Sequence, residues 1–153
     1  MRVTLNTDYS LRVLMFLATR GDHLSTIQEI TDSFDISRGH LMKVVHHLGL
    51  LGYITTVRGK NGGIKLTKDP AEIRVGGVVR DTEEELAVLG CLETNDYCVI
   101  AKACILRRAF REATQAFLTV LDGYTLADLS KPRTALANLL GISMPAHRPA
   151  HGG

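Results

Sequence analysis

A mainly α fold carrying one small β-hairpin is what this 153-residue sequence predicts, and three observations predict it. Apolar residues recur at helical spacing through most of the chain. The period changes to strand-like alternation only between Tyr53 and Thr67, and the glycine-rich stretch Gly59-Lys-Asn-Gly-Gly63 divides that region in two. At 16.7 kDa and 45% hydrophobic residues the chain can build one core of ordinary size plus an extension.

From Asp8 to Thr19, Leu11, Leu14, Met15 and Ala18 share one helical face, and Gly21 is the stop. Thr26 with Glu29 three residues on has the form of a capping box, opening a short helix through Ile30 to about Phe34. A turn at Asp35-Ile36 follows. Ser37 is a good N-cap for a third helix whose apolar stripe is Leu41, Val44, Val45, Leu48 and Leu51, leaving Arg38, His40, Lys43, His46 and His47 largely on other faces. Gly52 closes it. Tyr53 to Arg58 and Ile64 to Thr67 are strands joined at a hairpin tip that needs positive backbone φ. Two helices in a tight turn, then a hairpin, make a winged helix-turn-helix domain over residues 1–80.

Val75 to Thr82 is a short helix loosened by Gly76 and Gly77, followed by the acidic run Asp81 to Glu85 and a loop, so that 81–104 is a connecting segment. From about Ile100 to Leu121 runs the longest periodic segment, with Leu106, Phe110, Ala113, Phe117 and Val120 or Leu121 on one face. A stripe of that length is expected to meet a partner, which makes residues 100–130 a long dimerisation helix with a short following helix capped by Thr125. Residues 131–153 form a C-terminal segment whose tail, Pro145 to Gly153, is expected to be disordered.

Net charge is only +2, but residues 1–80 hold eleven Lys/Arg against seven Asp/Glu, and residues 81–153 hold seven against nine. Between Arg38 and Lys68 stand six cations, three histidines and no acid, the footprint expected for polyphosphate contact; a solvated basic face is the plainer alternative. Arg58 and Lys60 fall at the hairpin tip, suited to a DNA groove or backbone. The pattern G-x-x-x-x-G-K-[ST] is absent, which argues against nucleotide hydrolysis. No apolar stretch approaches the ~20 residues of a membrane helix. The odd cysteine count and the lack of a leader-like segment lead to the expectation of a soluble, cytoplasmic protein.

All three cysteines, Cys91, Cys98 and Cys104, lie within one fourteen-residue window. Thiolates are soft ligands for zinc, cuprous ion or iron-sulfur centres, and this run lets one loop fold around a single metal centre. Three thiolates are one short of a closed tetrahedral set, so a fourth ligand must be an oxygen or nitrogen from elsewhere or from a second subunit. Buried cysteines as small hydrophobes, structural zinc, and a thiol-based redox enzyme are the competing readings. The enzyme reading lacks a C-x-x-C pair and a catalytic base near the thiols, so no enzyme is expected.

The opening Leu5-Asn-Thr-Asp-Tyr-Ser-Leu-Arg-Val-Leu14, the segment Ile36-Ser-Arg-Gly-His-Leu-Met-Lys-Val-Val45, the wing Val57-Arg-Gly-Lys-Asn-Gly-Gly-Ile64 and the closing Phe117 to Leu129 strongly resemble the IscR/NsrR (Rrf) superfamily of winged-helix regulators. The resemblance runs from residue 1 to about 130, and the wing with the three-cysteine loop makes it specific. It implies a homodimer crossed through the long helix, with the cysteines holding an iron-sulfur cluster, 4Fe-4S before 2Fe-2S. It also implies a fourth ligand from the aspartate of the T-D-x-x-L-R pattern of the other subunit. Here that residue is Asp8, which is otherwise read as an acid favoured at a helix start. Arg12, four residues on, is placed to pair with it. Ser37, Arg38, His40 and Lys43 occupy the matching DNA-facing positions, and Arg58 matches the wing arginine. Relatives with other cysteine spacing use a histidine and a 2Fe-2S cluster; this loop has no histidine, which favours the NsrR branch. The function so implied is a nitric-oxide-sensitive repressor of operator DNA whose cluster loss derepresses nitric-oxide detoxification genes. A regulator of the same fold answering to cluster biogenesis or iron is the alternative.

Overall fold

The computed structural model describes residues 2–88, 92, 98–100 and 102–143. Its elements are α1 (Leu5–Arg20), α2 (Ile27–Phe34), α3 (Arg38–Leu50), β1 (Ile54–Val57), β2 (Gly63–Leu66), a 3-10 turn (Pro70–Glu72), α4 (Val75–Thr82), α5 (Ile105–Asp122), α6 (Leu126–Leu129) and α7 (Arg133–Leu139). Helices, four of them capped by a Thr or Ser side chain, surround one core, with the hairpin at its edge.

The first helix starts three residues before the Asp8 expected from its apolar spacing, because Thr4 is the N-cap: its hydroxyl accepts the Thr7 N–H at 3.3 Å. Asp8 therefore sits in the first turn. The Thr26/Glu29 capping box is present in both directions, and Ser37 caps α3 as read from the sequence. Asp35 takes the left-handed conformation (φ 52°) that ends α2, and Ile36 drops into the core behind it. Val13, Leu14, Leu17, Ile30, Leu41, Val44 and Leu48 are the buried heart of the domain.

β1 and β2 pair antiparallel with Ile54 opposite Leu66 and Val57 opposite Gly63. Two residues of the tip require glycine: Gly59 has φ 112°, and a Cβ on Gly62 would lie 2.1 Å from the Val57 carbonyl oxygen. The hairpin is fastened to the helices by Ser25 and Ile64, which exchange backbone hydrogen bonds of 3.0 and 2.8 Å.

The long helix differs from expectation at its start. α5 begins at Ile105 rather than near Ile100, because Cys104 is its N-cap and the Ala103 N–H closes a separate turn onto the Ile100 carbonyl at 3.0 Å. The expected single stripe is also two. Phe110, Phe117 and Leu121 are half-buried and Leu118 is buried, whereas Leu106, Ala109, Ala113, Ala116 and Val120 are exposed in a 3-4-3-4 spacing. α4 packs against α5, and their contact explains Gly76, read from sequence only as loosening: a Cβ there would stand 2.1 Å from Asp122 Oδ1. Arg80 grips Asp122 with two hydrogen bonds of 2.7 and 2.6 Å, holding the carboxyl below and the guanidinium above their ordinary pKa values.

The C-terminal segment contains α7, which the sequence did not announce. Ala137 and Ile142 are buried in the same core as α1 to α3, and the Arg133 guanidinium donates to the Thr19 carbonyl near the end of α1 at 2.7 Å. The tail expected to be disordered, Pro145 to Gly153, lies outside the described residues.

Candidate DNA interface and metal-ligand loop

The first turn of α3 and the wing tip carry the cations. Ser37, Arg38, His40 and Lys43 are all exposed, as are Arg58 and Lys60 on the wing. Burial of Leu41, Val44, Val45 and Leu48 fixes which way α3 faces, so Arg38 and Lys43 point out of the domain by helical geometry alone. Arg38 is steadied by Gln28 of α2, whose Oε1 accepts from Nη1 at 3.2 Å, and Gln28 in turn donates to Asp32 at 2.8 Å. His40 lies beside Tyr9 of α1 with ring centroids 6.3 Å apart. Lys43, Arg58 and Lys60 make no ion pair among the described residues, which leaves their charge available to phosphate. Gln28 was missed from the sequence; its position one helix before the cationic turn was the available clue.

The ligand candidates are spread over two places. Cys98 is exposed, and Cys104 is half-buried at the head of α5, where its sulfur accepts the Arg107 N–H at 3.4 Å. Cys91 lies outside the described residues. Beside Cys104 is an open depression of about 380 Å³ lined by Lys102, Arg107, Arg108 and Arg111. A soft sulfur bonded by a backbone N–H, at the positive end of an 18-residue helix and among cations, fits a negatively charged thiolate-ligated metal centre. Asp8 is held in a side-on pair with Arg12, at 3.0 and 3.1 Å, and the Arg12 guanidinium also lies 5.8 Å from the Phe34 ring centroid. Among the described residues of one chain, no group of three or more His, Cys, Asp or Glu converges as a metal site.

A second cluster of contacts joins α1 and the wing base to the end of α4 and to α3. The N-terminal turn of α1 is bonded through Thr4 to Glu83, through Thr7 to Thr82, and through Asn6 to both the Thr82 carbonyl and the His47 ring. At the base of the wing, Tyr53 donates to Asp81 at 2.6 Å; burial first, and then that bond, push the phenol pKa up. None of these pairs is visible as a sequence motif, because each spans 28 to 79 residues.

Residues 3–132 match the Rrf2 family, described as iron-dependent transcriptional regulators. The chain is 51% identical over 142 residues to the HTH-type transcriptional regulator NsrR of Geobacillus kaustophilus (92% of this chain, 97% of that one). It is 48% identical over 142 residues to NsrR of Bacillus subtilis, again covering 92% and 97%. Among solved structures, the global cysteine regulator CymR of B. subtilis superposes with a TM-score of 0.70 at 25% identity, covering 85% of this chain and 96% of that one.

Proposed function

This chain belongs to the Rrf2 family of DNA-binding transcriptional regulators, and on that premise we propose that it is a nitric-oxide-sensitive repressor whose iron-sulfur cluster sets its affinity for operator DNA. It is a regulator and not an enzyme. Cys91, Cys98 and Cys104 hold the cluster, of the 4Fe-4S type, and the partner subunit's Asp8 supplies the fourth ligand. A cluster held by these residues would supply iron as the site of reaction with nitric oxide.

The observation that carries this reading is that Cys104 is at once the third cysteine and the N-cap of α5. A ligand residue and the first turn of the long helix are thus one residue, and the sulfur that would bind metal also takes the Arg107 N–H. The exposed stripe Leu106, Ala109, Ala113, Ala116 and Val120 supports a homodimer crossed along α5, with residues 1–80 as the reading domain and 81–104 as the ligand loop. α5 is tied at its other end to α4 through Asp122 and Arg80, so a shift of its first turn moves the reading domain. Two recognition helices must meet half-sites about 34–36 Å apart, and a small rotation of one domain against the other weakens both contacts. Among the described residues no helix is long and apolar enough to cross a membrane, which suits a cytoplasmic regulator.

The test is a gel-shift titration of one operator with anaerobically purified, nitric-oxide-treated and cluster-free protein, alongside an absorption spectrum with iron and sulfide counts per dimer. Bleaching of the spectrum and release of DNA over the same titration is the expected result. Equal affinity in all three forms would refute the switch, and a fully coloured Cys98→Ala protein would refute the ligand set.

A further inference from the structure

The first turn of α1 makes three sets of contacts at once. Thr4 faces Glu83, whose Oε1 accepts from the Thr4 N–H at 2.7 Å and from its hydroxyl at 3.2 Å. Thr7 and Thr82, both buried, share a hydroxyl bond of 2.9 Å, and because Thr82 donates its own hydrogen to the Val78 carbonyl at 2.7 Å, Thr7 is the donor between them. Between these two lies Asn6. Its Nδ2 donates to the Thr82 carbonyl at 3.1 Å and stands 3.3 Å from Nδ1 of His47. With His47 in the tautomer that leaves Nδ1 unprotonated, one amide group uses its two hydrogens on two different elements.

Those elements are the ones that must communicate. Residues 82 and 83 are where the chain leaves α4 for the cysteine segment. His47 lies on α3, the recognition helix, one turn beyond Lys43 on the same side, and Lys43 and His47 line one cleft with Asn6, Thr82 and Glu83. The same α1 turn carries Asp8, two residues from Asn6. Thr82 and Glu83 stand at the start of the segment that leads to the cysteines, and Asp8 stands on the turn itself. Asn6 is the group on that turn that hydrogen-bonds both the end of α4 and α3.

We infer that Asn6 is the positioning residue that couples cluster state to the recognition helix, through its paired bonds to the Thr82 carbonyl and the His47 ring. This rests on the proposed cluster-dependent repression. Asn6 touches neither cluster nor DNA; it fixes the angle of α3 relative to the segment that feels the cluster. Competing explanations are weaker on chemical grounds. Asn6 is not needed as the helix cap, because Thr4 fills that role. A half-buried amide bridging a carbonyl and an imidazole has its donors fully committed, so neither partner can move without breaking a bond.

The experiment compares full-length wild type, Asn6→Leu, His47→Leu, the double variant and His47→Gln, each in cluster-loaded and cluster-free form. Three quantities are read: cluster absorbance per dimer, operator Kd in each form, and Tm. Both leucine variants should keep the absorbance and show a roughly tenfold fall in the ratio of loaded to unloaded affinity. The double variant should fall no further than the larger single one. His47→Gln, which retains an acceptor, should restore most of the ratio. Should Asn6→Leu fail to fold, His47→Leu, on the half-buried side of α3, carries the same comparison. An unchanged ratio overturns the inference even if both affinities drop together, since that result marks loss of a DNA contact or of stability alone. Loss of absorbance overturns it too, by placing Asn6 at the metal. If wild type itself shows no difference between the two forms, the parent reading of cluster-dependent repression fails with it, a result distinct from a switch that wild type has and the variants keep.

Discussion

Val120→Glu tests whether the outward face of α5 is the seam between subunits. Val120 is 62% exposed and Leu106 60% exposed, at opposite ends of the alanine-rich stripe, and neither belongs to the core of its own domain. Burying a whole aliphatic side chain is worth ~2 kcal/mol, so about six-tenths of one leaves ~1.2 kcal/mol to be gained at each position. Two-fold symmetry counts each residue twice, giving ~2.4 kcal/mol for the Val120 pair. Glutamate forfeits that and sets two carboxylates into a helix-helix seam, where desolvation costs several kcal/mol per ion after relaxation. The first term alone raises the dimer Kd about 50-fold, at ~1.4 kcal/mol per decade. Sedimentation velocity across a micromolar dilution series should find the variant monomeric where wild type is dimeric, with the helical circular-dichroism signal kept. A dimer of unchanged Kd would show that this face is not the seam.

Three further outcomes are expected. Arg58→Ala and Lys60→Ala, both exposed on the wing, should each weaken operator binding and lower the slope of log K against log salt by about one unit; an unchanged slope would remove the wing from the phosphate contact. Gly76→Ala should destabilise by ~1–3 kcal/mol, because its Cβ would lie 2.1 Å from Asp122 Oδ1, and Asp122→Ala in the same chain should relieve part of the cost in a urea titration. Asp128 is held down to about 2, from 3.8, first by the Thr125 N–H, then by the Thr125 hydroxyl and Lys131. A depressed carboxyl stabilises the fold above its unfolded value, and that contribution is lost as pH falls from about 4 to about 2. Thermal melts of Asp128→Asn should therefore show a flatter acid limb than wild type over that window.

What was legible in the sequence was local. Thr26 with Glu29, Ser37 before Arg38, and the glycines of the wing tip each signal a backbone geometry within four or five residues, and each is where the structure has it. The cationic face of α3 follows from the same logic, since burying Leu41, Val44 and Leu48 leaves Lys43 outside. The contacts that assemble the site were not legible, because side chains far apart in the chain carry them: Arg80 with Asp122, Tyr53 with Asp81, Asn6 with His47. Gly76 shows the limit. Sequence reads it as a weak point in a helix, whereas its lack of a side chain is what lets α4 approach the end of α5.

The doubled character of α5 explains why its apolar pattern was first read as one stripe. At 3.6 residues per turn, the row of Leu106, Ala113 and Val120 and the row of Phe110, Phe117 and Leu121 are neighbouring stripes, the second centred roughly a sixth of a turn from the first. Spacing alone merges them; burial separates them, since only the second row packs on its own chain. A helix clad on one side by its own domain and left bare on the adjacent side has a mechanical consequence. Its domain-facing row is anchored near the C-terminal end, through Leu118, Leu121 and the Asp122 clamp, while its first turn is set by Cys104. A displacement introduced at Cys104 therefore acts on the N-terminal end of a lever about 27 Å long, taking 1.5 Å per residue over 18 residues, with its fulcrum at α4. The bare row is what a second copy must hold for that lever to turn one reading domain against the other, so abolishing the dimer through Val120 should abolish any dependence of DNA affinity on the cysteines as well.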